Sequence, residues 1–497
     1  MIREKNLIKN TIIITIGKVS TQFISFFLLP IYTSILSTTE YGAVDLINTY
    51  IFLLAPIITL QIEQAIFRYL VDIRQNERRI RNSEKRKTQL IITVILSTTI
   101  LSIIYLFIFL IIAKYINNEY KYFLATNVIA CIFSAIMLQI VRGLGDNVTY
   151  AKANFVTAMS TVILNIVFIV IFKIGAYGML TASLIGNLLC IFYIFIKKKL
   201  IKYIQISSLD LKLLKKLYKY SIPLVPNTLS WWIINVSDRI IISIFLGIAA
   251  NGIQAVATKF PSIFSGFYGI FNLTWTESAS IHINDKDRDD FFSNIINTSF
   301  KIFLVVCLII IAVLPMVFSF LINNKFDDAY YQIPILIVGT FCNTIIGLFG
   351  VIYIAKKLTK EIAKTTILAA IINIIINLVF IRYIGLYAAS ISTAISYLSM
   401  ALYRYFDVKK YVNIKLDKKV VLSGIVMMSI LFIIYYKRIL ILSILALVII
   451  IVYFLFINIS LVTKLIIFIK RNISIFNNLK CNYHVRNKRF RTRKYDI

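Results

Sequence analysis

Histidine is nearly absent from this 497-residue chain, which has two, His282 and His484. Cysteine is sparse: Cys131, Cys190, Cys307, Cys342 and Cys481 stand far apart with no CxxC pair. Neither a disulfide framework nor a metal centre is expected from such a set. Acidic residues are few as well, 22 against 54 Lys and Arg, for a net charge of +32. No P-loop and no HExxH occurs. Gly143-Leu-Gly145 follows no strand and is not a nucleotide signature. No cofactor and no catalysis are expected. What the chain does have is apolar sequence: 59% of its residues are hydrophobic and the mean hydropathy is +0.83. Runs of about 20 apolar residues, each able to cross ~30 Å of hydrocarbon as a helix, recur from end to end. They are continuous rather than alternating, which excludes a β-barrel. The fold class is an all-α polytopic membrane protein.

Fourteen spans are expected, with boundaries near Thr11–Leu36, Ala43–Leu70, Leu90–Ala113, Tyr122–Ile140, Ala153–Phe172, Tyr177–Ile196 and Ser221–Leu246. Then follow Gly252–Glu277, Ile302–Ile322, Ile333–Ile354, Thr365–Ile381, Leu386–Tyr403, Val420–Tyr436 and Ile439–Val462. Only Lys437-Arg438 divides the last two, so a count of thirteen stays open. The first run follows Arg3, Lys5 and Lys9 as in a signal peptide, but it is too long and has no small-residue cleavage site. Of the 54 basic residues, 42 fall in alternate loops and the termini, 7 in the opposite loops, and 5 within or beside spans. By the positive-inside rule both termini and Asp72–Gln89 lie in the cytoplasm of a plasma membrane. That distribution explains the charge without nucleic acid, which is not an expected partner. The outward connections are too short to house a catalytic domain. The basic tail from Lys464 suits a topology anchor or a contact with anionic lipid.

The chain also repeats itself. Asn165-Ile-Val-Phe168, followed by Ile174-Gly175-Ala-Tyr177, recurs as Asn377-Leu-Val-Phe380, followed by Ile384-Gly385-Leu-Tyr387. Leu36–Gly42 matches Leu246–Gly252, and both glycine pairs are offset by 210 residues. Two matches at one offset indicate two parallel six-span halves, the arrangement of alternating-access transporters with a site between halves. The expected organisation is an N-lobe over 1–200, a C-lobe over 201–410, two further spans over 411–463 and a cytoplasmic tail over 464–497.

Four of the apolar spans carry polar stripes. In the eighth, Gln254, Thr258, Ser262, Ser265, Gly269, Asn272 and Thr276 fall within an arc of about 80°. The first carries Lys18, Gln22, Ser25 and Tyr32; the second Asp45, Thr49, Pro56 and Glu63; the seventh Asn227, Trp231, Asn235 and Asp238, with Arg239 at its edge. Such stripes also serve helix packing. Their concentration in the first two spans of each half favours a shared aqueous cavity. An ionised residue at mid-bilayer costs about 2.5–3.5 kcal/mol and needs a reason. Lys18, Arg239 and Lys259 come from both halves, as clamping of an anionic phosphate group requires. Asp45, Glu63 and Asp238 are expected as coupling groups or charge partners, and Asp238 beside Arg239 also fits a self-neutralising pair. Arg68 and Glu277 lie near span ends and suit snorkelling.

The segment Asn235-Val-Ser-Asp-Arg239 with Gly247 and Lys259 resembles the second-half start of polysaccharide exporters in the multidrug/oligosaccharidyl-lipid/polysaccharide (MOP) superfamily. Pro30–Leu36 with Tyr41-Gly42, and Asn373–Tyr397, are similar to the same family. This resemblance to the Wzx-type flippases implies two lobes in a V, a cationic cavity lined by the first two spans of each half, and an undecaprenyl-diphosphate-linked oligosaccharide as cargo. It implies a bacterial inner-membrane setting, with membrane lipids and the polymerase and glycosyltransferases of one pathway as partners. A lipid II flippase of peptidoglycan synthesis and a MATE-type drug exporter remain alternatives. So does a membrane-embedded sugar polymerase or glycosyltransferase, against which the short outward loops argue.

Overall fold

The computed structural model of the protein describes residues 26–76, 82–116, 118–203, 209–356 and 358–457. All regular structure among them is helical. The helices are α1 (Leu29–Ile35), α2 (Thr38–Thr59), α3 (Ile62–Gln75), α4 (Ser83–Ile112), α5 (Lys121–Gly143), α6 (Asn147–Asn165), α7 (Gly175–Lys197), α8 (Leu211–Ser221) and α9 (Val225–Phe245). They continue as α10 (Ile248–Ala257), α11 (Lys259–His282), α12 (Arg288–Leu321), α13 (Ala329–Ala355), α14 (Thr359–Ile384), α15 (Leu386–Val408), α16 (Lys418–Lys437) and α17 (Leu440–Ile457). Eleven helical segments among the described residues are long and apolar enough to cross a membrane. Both termini, most of the first expected span and the basic tail lie outside the described residues.

Local chemistry sets the helix starts. Ser37 and Glu40 form a capping box at α2, each side chain serving the other's backbone N–H. Asp146, Asp210 and Asp417 cap α6, α8 and α16 by accepting from backbone N–H groups of the first turn. Pro30 and Pro226 sit at the first positions of α1 and α9, where a missing N–H costs nothing.

Two expectations change. The span expected over Ala43–Leu70 is two helices, because Leu60 and Gln61 both adopt left-handed φ values of 51° and 60°. The run across Lys437-Arg438 is two helices, as the count of fourteen expects, parted by Arg438 at φ 53°. The basic segment Lys197–Lys219, expected as a loop, contains α8.

By their contacts the residues form two compact units, Met1–Asn294 with Val317–Lys415, and Ile295–Met316 with Leu416–Ile497. In the second, the Asp417 N–H donates to Asn297 Oδ1 at 2.9 Å, and Lys301 reaches the Asp417 carboxylate at 3.5 Å. Gly424 gives room to Leu304, and a Ser423–Tyr453 hydroxyl pair at 2.7 Å ties α16 to α17. The first unit contains the first half and, apart from Ile295–Met316, the second. Its larger apolar core runs from Ala43 to Leu217, and a separate cluster joins Ile234 to Ile346, Ala369 and Tyr397. Large apolar side chains such as Phe52, Phe107 and Phe192 remain exposed, as a hydrocarbon-facing surface requires.

The repeat has a structural counterpart. A Cβ on Gly42 would strike the Ile248 carbonyl, and a Cβ on Gly252 would strike the Thr38 carbonyl. Thr38 and Ile248 are themselves 210 residues apart, as are Gly42 and Gly252, so the contact is reciprocal, as across a twofold axis. Gly175 and Gly385 share a positive φ, 54° and 58°, which glycine tolerates without strain. The first half has two more residues than the second between Phe168 and Gly175. A π-helical turn, Ile166–Ile171, and the left-handed Lys173 after it take up that insertion.

Candidate functional site

The halves meet around the reciprocal glycine contact. Asn251 Nδ2 donates to the Gly42 carbonyl at 2.9 Å, and Trp232 Nε1 donates to the Thr49 carbonyl at 3.1 Å. Tyr41 stands edge-on to Phe326, with ring centres 6.0 Å apart, and Phe26 to Phe260 at 5.4 Å. Asn323 N donates to the Thr33 hydroxyl at 3.3 Å.

One turn along α2 from these glycines lies an ion pair between the halves. Arg239 Nε donates to Asp45 Oδ2 at 2.6 Å, with side-chain exposures of 13% and 20%. The rest of the guanidinium reaches the Asn235 carbonyl at 3.1 Å and the Thr258 hydroxyl at 3.3 Å. Asp238 is a more distant partner at 3.7 Å. The sequence neighbour is therefore not the principal counter-ion; a residue 194 positions away is. Lys259, half-buried at the start of α11, lies within electrostatic reach of Asp45 and Arg239.

Asp238 turns into the second half instead. It is 5% exposed, and its Oδ1 accepts no hydrogen bond. Ile234, one turn before it, packs near Ala369 and Ala370, and Ile242, one turn after, packs near Ile381. Asp238 therefore stands level with Asn373 and Asn377. Asn373 donates toward Ser392 and Thr393 at 3.4 and 3.3 Å, while its Oδ1 and both amide atoms of Asn377 have no partner. Buried polar groups without partners are uncommon and call for a physical reason.

The other expected residues divide. Asn227 and Asn235 are exposed and Trp231 is half-buried, so that face of α9 is not covered by protein among the described residues. Asn235 also accepts from the Tyr397 hydroxyl at 2.8 Å. Asn272 accepts from Tyr268 at 3.0 Å, with Ser265 and Gly269 exposed beside it. Gln254 does not share that exposure. It is fully buried, with both amide atoms unbonded. Glu63 is a correction: the break at Leu60-Gln61 resets the helical phase, so Glu63 is not aligned with Asp45. It accepts from Thr59 at 2.9 Å and lies near Cys131 of α5, within the first half. Lys18 and Gln22 fall outside the described residues. Among the described residues the charges at the meeting point, Asp45, Asp238, Arg239 and Lys259, balance rather than sum to a cation.

Arg404 lies one residue beyond the expected end of the twelfth span at Tyr403, where a basic residue reads as part of a loop. Helix α15 runs on to Val408, and Arg404 is 3% exposed. It donates to the Thr365 hydroxyl at 2.9 Å and the Ile346 carbonyl at 3.2 Å, and Gly350 leaves the space its guanidinium occupies. Asn251 and Trp232 were missed for another reason. Their roles come from partners in the other half, and no spacing in one segment signals that.

Residues 7–276 match the family model described as polysaccharide biosynthesis protein. No curated protein matches the sequence. Among solved structures, the lipid II flippase MurJ in an inward closed conformation is similar at a TM-score of 0.65 and 16% identity, over 92% of this chain and 100% of that one. An inward-facing multidrug resistance MATE family transporter of the MOP superfamily is similar at 0.61 and 15%, covering 84% and 98%. An outward-facing structure of such a transporter scores 0.54 at 16%, covering 85% and 95%. The chain has the helical fold these transporters share.

Proposed function

The chain belongs to the polysaccharide biosynthesis protein family, and from that premise we propose that it flips an undecaprenyl-diphosphate-linked oligosaccharide across a bacterial plasma membrane. The carrying observation is the Arg239–Asp45 pair, which joins the two repeat halves while both side chains keep some exposure. A diphosphate entering between the halves competes with Asp45 for the guanidinium, whose planar fork suits phosphate oxygens. Lys259, and Lys18 of the first span, add charge to that contact. Loss of Asp45 from Arg239 removes one of the bonds holding the halves together beside the glycine contact. Cargo binding and separation of the halves at that end are thereby linked, as alternating access requires.

The residue roles follow from this reading. Gln22, Asn227, Trp231, Asn235 and Asn272 serve the sugar and diphosphate, and buried Gln254 supports the helix that carries them. Asp238, with Asn373 and Asn377, is the coupling group. The closer match to the inward-facing transporter than to the outward-facing one supports a state closed at the glycine contact. In the positive-inside topology that end faces outward. The six-span lobes, cytoplasmic termini and pathway enzymes as partners belong to the same proposal.

Removing the gene tests the cargo. One surface glycan should disappear while its lipid-linked precursor accumulates inside and wall synthesis continues. Growth arrest with lipid II accumulation would instead assign the lipid II cargo, a reading favoured by the 0.65 similarity to MurJ.

A further inference from the structure

Helix α8 lies between the end of α7, an apolar helix that stops at Lys197, and the start of α9. It therefore sits at the depth where membrane-crossing helices emerge. At about 100° per residue, Lys212, Lys215, Lys216 and Lys219 share an arc of about 100°, with Leu213, Leu214 and Leu217 on the opposite side. The apolar side is committed to the protein. Leu217 is fully buried in the first half's core, and Leu213, Leu214 and Tyr218 pack against the same cluster. The Tyr218 hydroxyl pairs with Ser97 Oγ at 2.6 Å, and Tyr220 stands edge-on to Tyr69 at 6.1 Å. The helix is held from rolling.

What remains outward is charge. The four lysines of α8 are exposed, and Lys197, Lys199 and Lys202 are exposed beside them. None of these seven is ion-paired among the described residues, whereas neighbouring Lys198 is held by Asp146. Lys216 lies 5.6 Å from the Tyr69 ring centre, which leaves its ammonium at the surface. Leu211, at 68% exposure, flanks the lysine face of α8, and Ile201, among the preceding lysines, is 70% exposed.

We propose that this face binds the headgroups of anionic phospholipids. A membrane-inserting amphipathic helix gives its apolar side to the bilayer; α8 cannot, so lysine charge at fixed positions is the recognition element. Headgroup depth favours lipid over a soluble acidic partner. The two flanking apolar side chains suit the boundary between headgroup and acyl chain. The inference does not depend on the cargo.

The test uses the full chain purified in detergent, with thermal unfolding followed while phosphatidylglycerol or phosphatidylcholine is added. Wild type should be stabilised by phosphatidylglycerol, and the effect should weaken with salt. Each surface lysine contributes about fivefold to anionic-lipid binding. Four such losses compound to several hundredfold at full strength, so K212Q/K215Q/K216Q/K219Q should need at least about tenfold more phosphatidylglycerol for the same shift, while unfolding normally in phosphatidylcholine. The control K356Q/K360Q/K409Q/K418Q removes as much charge elsewhere and should respond like wild type. An equal response in the α8 variant, an equal loss in the control, or no headgroup preference in wild type overturns the proposal.

Discussion

In the first half, Asn165 donates to the Tyr32 hydroxyl at 2.8 Å, beside Leu28. Its counterpart in the second half, Asn377, has neither amide atom bonded, because the positions 210 residues on from Tyr32 and Leu28 hold Ile242 and Asp238. The charges at the meeting point are just as uneven. Arg239 and Lys259 correspond to Leu29 and Thr49 in the first half, and Asp45 to Ala255 in the second. The two halves share a framework of glycines and helix ends and differ in which polar groups are left unpartnered. The framework is what the fold needs twice. The uneven part is where a transported ligand and a coupling group can act without duplication.

Erasing the charge difference between the halves should cost the protein most. R239Q alone takes the hydrogen-bonded partner from a partly buried Asp45 and should lower stability by about 2–4 kcal/mol, toward the lower end because both side chains retain some exposure and Lys259 stays within reach. D45N/R239Q should regain most of that stability, measured by thermal unfolding in detergent, yet export no glycan. Full export by the double variant would remove the pair from the site.

The glycine contact should respond the other way, with equal effects in both halves. G42L and G252L each push a side chain into the opposing backbone, at a cost of about 1–3 kcal/mol to the closed arrangement. A cysteine at Thr38 in either variant should become more reactive toward an impermeant thiol reagent, and both variants should export poorly. If one variant is silent, the contact is not reciprocal.

The paired asparagines sharpen the contrast at a scale of about 1 kcal/mol. N165L loses the bond to Tyr32 and should unfold at lower temperature. N377L removes a buried amide that has no partner, so it should be neutral or stabilising while export falls. Destabilisation by N377L to the same degree would mean that its amide is bonded in the working protein.

How much of this was legible in the sequence depended on distance along the chain. Continuous apolar runs gave the helices because a backbone in lipid must bond within its own segment. The repeat was visible because glycine is demanded wherever two backbones touch. Helical phase located the exposed face of α9, with Asn227 and Asn235, but failed for Glu63. The left-handed pair Leu60-Gln61 follows no glycine, and its conformation is set by tertiary packing. The Asp45–Arg239 pair was out of reach because each residue's spacing pointed only along its own helix.

The smallest expected effect lies outside the spans, where only the first half has the relevant group. Asp146 loses some solvation through burial, but the hydrogen bonds from Lys198 and from the Thr149 hydroxyl and N–H outweigh this and hold its carboxyl down at about 2, against an ordinary 3.8. Its contribution is fully present above pH ~4 and is lost as pH falls toward ~2. Both partners are partly exposed, so the loss should be about 1 kcal/mol or less after screening. K198M should remove that acid-dependent step from pH-dependent unfolding and leave the neutral-pH helix content unchanged.

The account rests most directly on movement of the cargo itself. Purified protein in liposomes, supplied with a fluorescent undecaprenyl-diphosphate oligosaccharide, should expose the label to an impermeant quencher at a rate that R239Q abolishes and R239K partly retains. A rate in R239Q equal to wild type, or no movement of this cargo while lipid II crosses, would contradict it.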